Sequence, residues 1–287
     1  MHNPKQYIRP ETLDEAVAAL TSHAGAYPLV GGGLALGTLD IPYEAVVDLS
    51  RVPGLSAIEV EGETVVLGGA AMLAAVVAHD AVSIALKRSI TRTLPMNIRN
   101  NTSVMESLTV NRLPVEWLTT LVAVDATVTR LLPDGTEDIA SMVDAIPVAG
   151  VQNGIDLREG VITAVRVPLF DEHTALGTAQ VARTPAAEPI VNACVRLQLD
   201  EAGTVTEAFA VLGGVSSDSE LQAMPLSGLV GEPLTPEAIE AQAAQISDMV
   251  DPVSDFRGST VYRSQMAVVV TRRAVEDALA QLNAQKQ

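Results

Sequence analysis

The residues best placed to do chemistry are three consecutive glycines, Gly31-Gly32-Gly33, which follow a short apolar run, Tyr27-Pro28-Leu29-Val30. Glycine lets a main chain come close to a ligand and turn several N–H groups toward it, as a pyrophosphate held without arginines requires. The same residues also suit a plain turn after a strand. Other usual carriers of chemistry are sparse. Cys194 is the only cysteine, which excludes an intramolecular disulfide and an iron–sulfur cluster held by this chain alone, since a cluster takes about four thiolates. Its flank, Val191-Asn192-Ala193-Cys194-Val195, reads as a strand and predicts a buried apolar thiol. His2, His23, His79 and His173 are scattered without ligand spacing, so no metal site is expected. No histidine neighbours Cys194 in sequence, and no catalytic nucleophile–base–acid set is visible.

Composition narrows the function classes further. The chain has 287 residues, 48% of them hydrophobic, enough for a large core in one or two domains. Its formal net charge of −17 disfavours nucleic acid and anionic membrane surfaces, both of which reward lysine and arginine. The same field opposes a polyanionic cofactor unless a local, preorganised site overcomes it. No apolar stretch reaches the ~18 residues that a membrane span takes. The opening, Met1 to Gln6, lacks the apolar region of a secretion signal, so a cytoplasmic location is expected.

The elements that must position the glycines follow from periodicity and caps. Thr12 and Glu15 form a capping box, Leu13, Ala16, Val17 and Leu20 recur at helical spacing, and Gly25 stops the helix. Tyr27 to Val30 and Ala45 to Leu49 read as strands flanking the glycine loop. Ala57 to Val60 and Thr64 to Leu67 read as a hairpin about Glu61-Gly62-Glu63. Met72 to Thr93 and Pro114 to Val122 carry helical patterns, and Ala123 to Leu132 pairs with Thr136 to Ile139 across Pro133-Asp134-Gly135. Val161 to Pro168 is a further strand that closes a first domain near residue 170. Beyond it, Val191 to Leu199 and Val205 to Leu212 alternate as strands, and Pro236 to Val250 and Ser259 to Asn283 read as helices. A three-stranded sheet backed by helices is the expected second domain, which makes the chain α+β.

The ordered motifs resemble the FAD-binding medium subunit of the xanthine dehydrogenase and aerobic carbon monoxide dehydrogenase family, the molybdenum hydroxylases. The resemblance covers nearly the whole chain. It rests on Tyr7-Ile8-Arg9-Pro10-Glu11-Thr12, Val30-Gly31-Gly32-Gly33, Val47-Asp48-Leu49-Ser50 and Ile98-Arg99-Asn100. It continues in Ala123-Val124-Asp125-Ala126, Leu212-Gly213-Gly214-Val215, Ser254-Asp255-Phe256-Arg257-Gly258-Ser259, Tyr262-Arg263 and Arg272-Arg273-Ala274. The resemblance implies a vanillyl-alcohol-oxidase-like (PCMH-type) FAD-binding fold over residues 1–170, with subdomains of about 1–55 and 56–170. A small CO dehydrogenase flavoprotein-like C-terminal domain over 175–287 would follow. It implies FAD as cofactor, and as partners an iron–sulfur small subunit and a molybdopterin large subunit, with a homo-oligomer as the alternative. The substrate pocket would lie on another chain.

Against that pattern the first glycine loop is kept and the second is not. After Ile98-Arg99-Asn100 the family continues with a variable residue and Gly-Thr-Ile-Gly-Gly-Asn, whereas this chain reads Asn101 and then Thr102-Ser103-Val104-Met105-Glu106-Ser107. Replacing a glycine of positive φ costs about 1–2 kcal/mol unless the loop changes shape. A carboxylate at Glu106 about 4 Å from a phosphate charge would oppose it by up to ~4 kcal/mol, approaching a thousandfold in affinity. Gly31, Gly32 and Gly33 are therefore the expected phosphate contacts, with Thr102, Ser103 and Ser107 as hydroxyl and amide donors if the second loop has been rebuilt. Glu116 stands where the family has an aspartate, and Arg112, in the altered segment Asn111-Arg112-Leu113, is either a compensating charge or a surface arginine. Trp117 is expected in the core, and Arg99, Asp255, Arg257, Tyr262 and Arg263 in ion pairs or other structural roles. Two functions remain open: an electron-transfer flavin subunit, or a structural and interaction subunit that kept the fold and lost the cofactor. Change concentrated where FAD would sit favours the second. A binder of a different nucleotide is a third reading to which no residue points.

Overall fold

The computed structural model of the chain describes residues 4–23, 26–30, 44–109, 115–151, 155–184 and 187–285. Gly25, Gly31, Gly32, Gly33 and the segment Asn111 to Leu113 lie outside the described residues. The first unit opens with strand β1 (Gln6–Ile8), helix α1 (Leu13–Ser22) and strands β2 (Ala26–Leu29) and β3 (Ala45–Asp48). The expected cap is present: Thr12 Oγ1 accepts from Glu15 N at 3.2 Å, and Glu15 reaches back to Glu11 N at 2.8 Å. The three strands form a parallel sheet in the order β1-β3-β2. Central β3 is buried at every position, which is why Ala45-Val46-Val47 reads as a continuous apolar run.

The second unit holds a five-stranded antiparallel sheet of β4 (Ile58–Glu61), β5 (Thr64–Gly68), β6 (Thr127–Leu131), β7 (Glu137–Ser141) and β8 (Val161–Pro168), in the order β4-β5-β8-β6-β7. Between β5 and β6 run the helices α2 (Leu73–Ala78), α3 (Ile84–Thr91), α4 (Met96–Arg99), α5 (Val104–Thr109) and α6 (Val115–Ala123), with α7 (Met142–Ala145) after β7. The helical pattern of Met72 to Thr93 is therefore two helices. The second starts where Ser83 Oγ caps Leu86 N at 3.4 Å. Trp117 is fully buried in α6, as expected of a core residue.

The last unit corrects one expectation. Its sheet has four strands rather than three: β9 (Thr174–Val181), β10 (Val191–Leu199), β11 (Val205–Gly213) and β12 (Leu221–Pro225), in the order β12-β11-β10-β9. Strand β9, Thr-Ala-Leu-Gly-Thr-Ala-Gln-Val, is buried along its first six residues and so shows no polar–apolar alternation. Helix α8 (Pro236–Gln245) and the 26-residue α9 (Thr260–Gln285) follow. Helix α9 lies so close to β9 that a Cβ on Gly177 would meet Ala274 O at 1.8 Å. One face of the sheet, including Ala193, Val195, Ala210 and Leu212, packs with α9, and the other, including Cys194 and Val211, joins the core of the first domain. Cys194 is buried as expected, and burial pushes its thiol up to about 12. No helix among the described residues is long and apolar enough to cross a membrane.

Candidate functional site

The segment in place of the second glycine loop is stitched to the end of β5. Leu73 N donates to Thr102 O at 2.9 Å, Val104 N to Ala71 O at 2.9 Å and Met105 N to Gly69 O at 2.8 Å. Helix α5 starts at once, and its first turn is closed by Ser103 and Glu106. Ser103 N and Ser103 Oγ both donate to Glu106 Oε2 at 2.9 Å, and Glu106 N donates to Ser103 Oγ at 3.2 Å. This is a capping box, in which two residues three apart satisfy each other's main-chain donors at a helix start. Glu106 therefore caps its own helix through Oε2, while Oε1 is buried with no hydrogen-bond partner among the described residues. It is buried, 3% exposed, on the N-terminus of its own helix. Burial pushes its carboxyl up, against the Ser103 amide, the Ser103 hydroxyl and the Val30 amide, which favour the charged form.

The three hydroxyls expected to serve a phosphate come together in this turn, and each proton is committed within the protein. Thr102 Oγ1 donates to Ile98 O at 3.0 Å, Ser103 Oγ to Glu106, and Ser107 Oγ to Val104 O at 2.7 Å. Ser107 Oγ also accepts from Trp117 Nε1 at 3.1 Å. The main-chain N–H groups are committed as well. Besides those already placed, Ser107 N donates to Ser103 O at 3.0 Å, so all five amides from Ser103 to Ser107 have protein acceptors. Met105, in place of a glycine, is fully buried.

A second locus lies where α6 meets the four-stranded sheet. Asn192 Nδ2 donates to Thr119 Oγ1 at 2.8 Å across the two domains, and the buried Asn192 Oδ1 has no partner. One turn back on α6, Glu116 is buried with Oε1 unpartnered and Oε2 only 3.5 Å from Thr93 Oγ1. Desolvation pushes its carboxyl up to about 7, although Arg92 and Thr93 favour the charge. A cavity of about 330 Å³ opens here, with Val115, Glu188, Asn192, Gly214 and Arg257 among its walls. The walls are held by ion pairs, as expected for these residues. Asp255 pairs with Arg263 at 2.7 Å and with Arg257 at 3.0 Å, and Arg257 pairs with Glu188 at 2.5 Å. Arg263 Nη1 also donates to Ile190 O at 2.6 Å and Gly214 O at 2.9 Å, which fixes both strand ends. Asn192 was missed as a site residue. Its signal was an amide set within the apolar run Val191 to Val195.

Residues 3–170 match the model of the FAD binding domain in molybdopterin dehydrogenase, and residues 178–278 match the CO dehydrogenase flavoprotein C-terminal domain. The chain belongs to this family of FAD-binding medium subunits. Among relatives, it is 24% identical to the glyceraldehyde dehydrogenase medium chain of Sulfolobus acidocaldarius, over 96% of this chain and 99% of that one. It is 25% identical to the nicotinate dehydrogenase FAD-subunit of Eubacterium barkeri, over 96% and 97% of the two chains. Among solved structures, reconstituted CO dehydrogenase from Oligotropha carboxidovorans superposes with a TM-score of 0.82 at 25% identity, covering 98% of this chain and 99% of that one. Family membership brings FAD as the associated cofactor. In the second loop the residues present do not fit its pyrophosphate: residues 103 to 107 offer it no free N–H, and the side chain in their midst is a carboxylate.

Proposed function

We propose that this chain acts as a medium subunit of a molybdenum-hydroxylase-like oxidoreductase complex, with flavin binding weakened or lost and a role that is structural. Its partners on this reading are an iron–sulfur small subunit and a molybdopterin large subunit. The observation that carries the reading is the second loop, whose five amides from Ser103 to Ser107 all bond to protein acceptors. Rebuilding a phosphate cradle there means breaking the capping box and leaving Glu106 buried without its partners, on top of its repulsion of the phosphate. The fold itself keeps its cores and the ion pairs around Asp255, which a scaffold requires and a lost cofactor does not disturb.

A working flavin subunit, passing electrons from iron–sulfur clusters to an external acceptor, is the second reading. On its side stand the unpartnered acceptors Asn192 Oδ1 and Glu116 Oε1, which an N–H of a bound ring would satisfy. The two readings separate on a visible absorption spectrum of the purified protein followed by calorimetric titration with FAD. A colourless protein that takes up no FAD at saturating concentration is the expected outcome. A flavin band, or tight uptake at one equivalent, overturns the scaffold reading.

A further inference from the structure

We propose that a separate cavity, at the seam between the five-stranded sheet and the last domain, binds a small organic cation. The cavity has a volume of about 370 Å³, within the range of small-molecule sites. No residue from 103 to 107 lines it, and it is distinct from the cavity beside Asn192. Its floor is apolar: Leu67 of β5, Val167 of β8, Leu86 of α3 and Leu176 of β9 are buried side chains that line it. Its mouth carries one aromatic ring, Phe170, and two exposed carboxylates, Asp80 and Asp171. No lysine, arginine or histidine is found among the described residues that line it.

This combination selects for charge and shape together. An apolar body is desolvated against the floor, while the cationic group stays at the mouth between carboxylates and beside an aromatic face, a setting that favours quaternary ammonium. Asp171 Oδ1 accepts from His173 N at 3.0 Å and Thr174 Oγ1 at 3.1 Å, which holds the carboxylate at the lining. An anion is opposed by both aspartates and by the net charge of −17, which draws cations to the surface. Because the walls come from both domains, with Gln281 of α9 closing one side, an occupant ties the seam together and raises the unfolding temperature.

The test uses the full chain and benzyltrimethylammonium as probe, with benzyl alcohol and benzenesulfonate as neutral and anionic counterparts. Calorimetry is expected to give saturable 1:1 binding of the cation, with a rise in Tm, and none of either counterpart at the same concentration. Asp80→Asn and Asp171→Asn each weaken binding about fivefold, and added salt weakens it further. Ala85→Leu, which adds volume at the lining, abolishes binding while the protein stays folded by circular dichroism. Equal binding of benzyl alcohol, indifference to both aspartate variants, or no saturable binding of the cation overturns the proposal.

Discussion

Glu106 Oε2 accepts two bonds from Ser103, from its amide and from its hydroxyl, both at 2.9 Å, and Ser103 Oγ accepts the Glu106 amide in return. The position where a phosphate would need open donors is thus filled by a carboxylate of the chain itself. A helix start leaves several N–H groups unsatisfied, and an anion is stabilising there. An external pyrophosphate and an internal carboxylate answer the same requirement, and here the internal one is covalently present at all times. This explains how the loop tolerates the loss of its glycines without leaving buried donors unpaired.

Ser103→Ala tests the cap directly. The substitution removes the N-cap oxygen and one of the two bonds to a buried carboxylate. It is expected to lower stability by about 2–3 kcal/mol, from roughly 1 kcal/mol for the cap and the remainder for the unsatisfied charge. Urea denaturation with an unchanged slope measures it. A loss under about 0.5 kcal/mol, the level of an ordinary surface change, would mean that the box contributes nothing.

Restoring glycine at Thr102, Met105 and Glu106 tests whether this loop is what opposes the flavin. Removing the carboxylate alone lifts a repulsion of up to ~4 kcal/mol, so the triple variant is expected to gain FAD affinity by a factor approaching a thousand over the parent. Glu106→Gln, which keeps the side chain and removes the charge, should show an intermediate gain. Quenching of flavin fluorescence reads both. If neither variant binds FAD better than the parent, the obstacle lies elsewhere in the chain.

Gly177→Ala is the strongest prediction of the fold itself. The added Cβ would meet Ala274 O at 1.8 Å and Ala278 N at 2.5 Å, both main-chain atoms of α9 that cannot rotate away. Helix and sheet must separate, and a loss of about 3 kcal/mol or more is expected. Thermal unfolding checks it, and a Tm within a degree or two of the parent would show that the helix is free to shift.

The same contact explains what the sequence withheld. Strand β9 has small residues where α9 approaches and is buried on both faces, so neither alternation nor a run of large apolar residues marks it. The Thr12–Glu15 cap, the Gly62 turn and the helix around Trp117 were legible because each is set by local chemistry within a few residues. The motif Ser103-Val104-Met105-Glu106 was legible too, as a serine followed three residues later by glutamate. Read only as missing glycines, it pointed to a damaged loop, whereas its local chemistry specifies an ordered helix start. Burial of Glu116 depends on the last domain folding over α6, a long-range event that no local pattern records.

That burial makes Glu116 a pH-dependent liability. Its carboxyl titrates near 7 in the folded chain against an ordinary value of 4.5, with desolvation as the main cause. Below pH 4.5 the group is protonated in both states and costs nothing. As pH rises from 4.5 toward 7 the unfolded chain releases its proton while the folded chain holds it, so folding stability falls across that window and then levels off. Glu116→Gln removes the titration while keeping the shape. It is expected to match the parent at pH 4.5 and to be more stable by up to about 3 kcal/mol at pH 8. Urea denaturation of both proteins at several pH values measures the gap. A gap that does not grow with pH, or a variant less stable than the parent at pH 8, would mean that Glu116 is ionised and compensated in the folded chain.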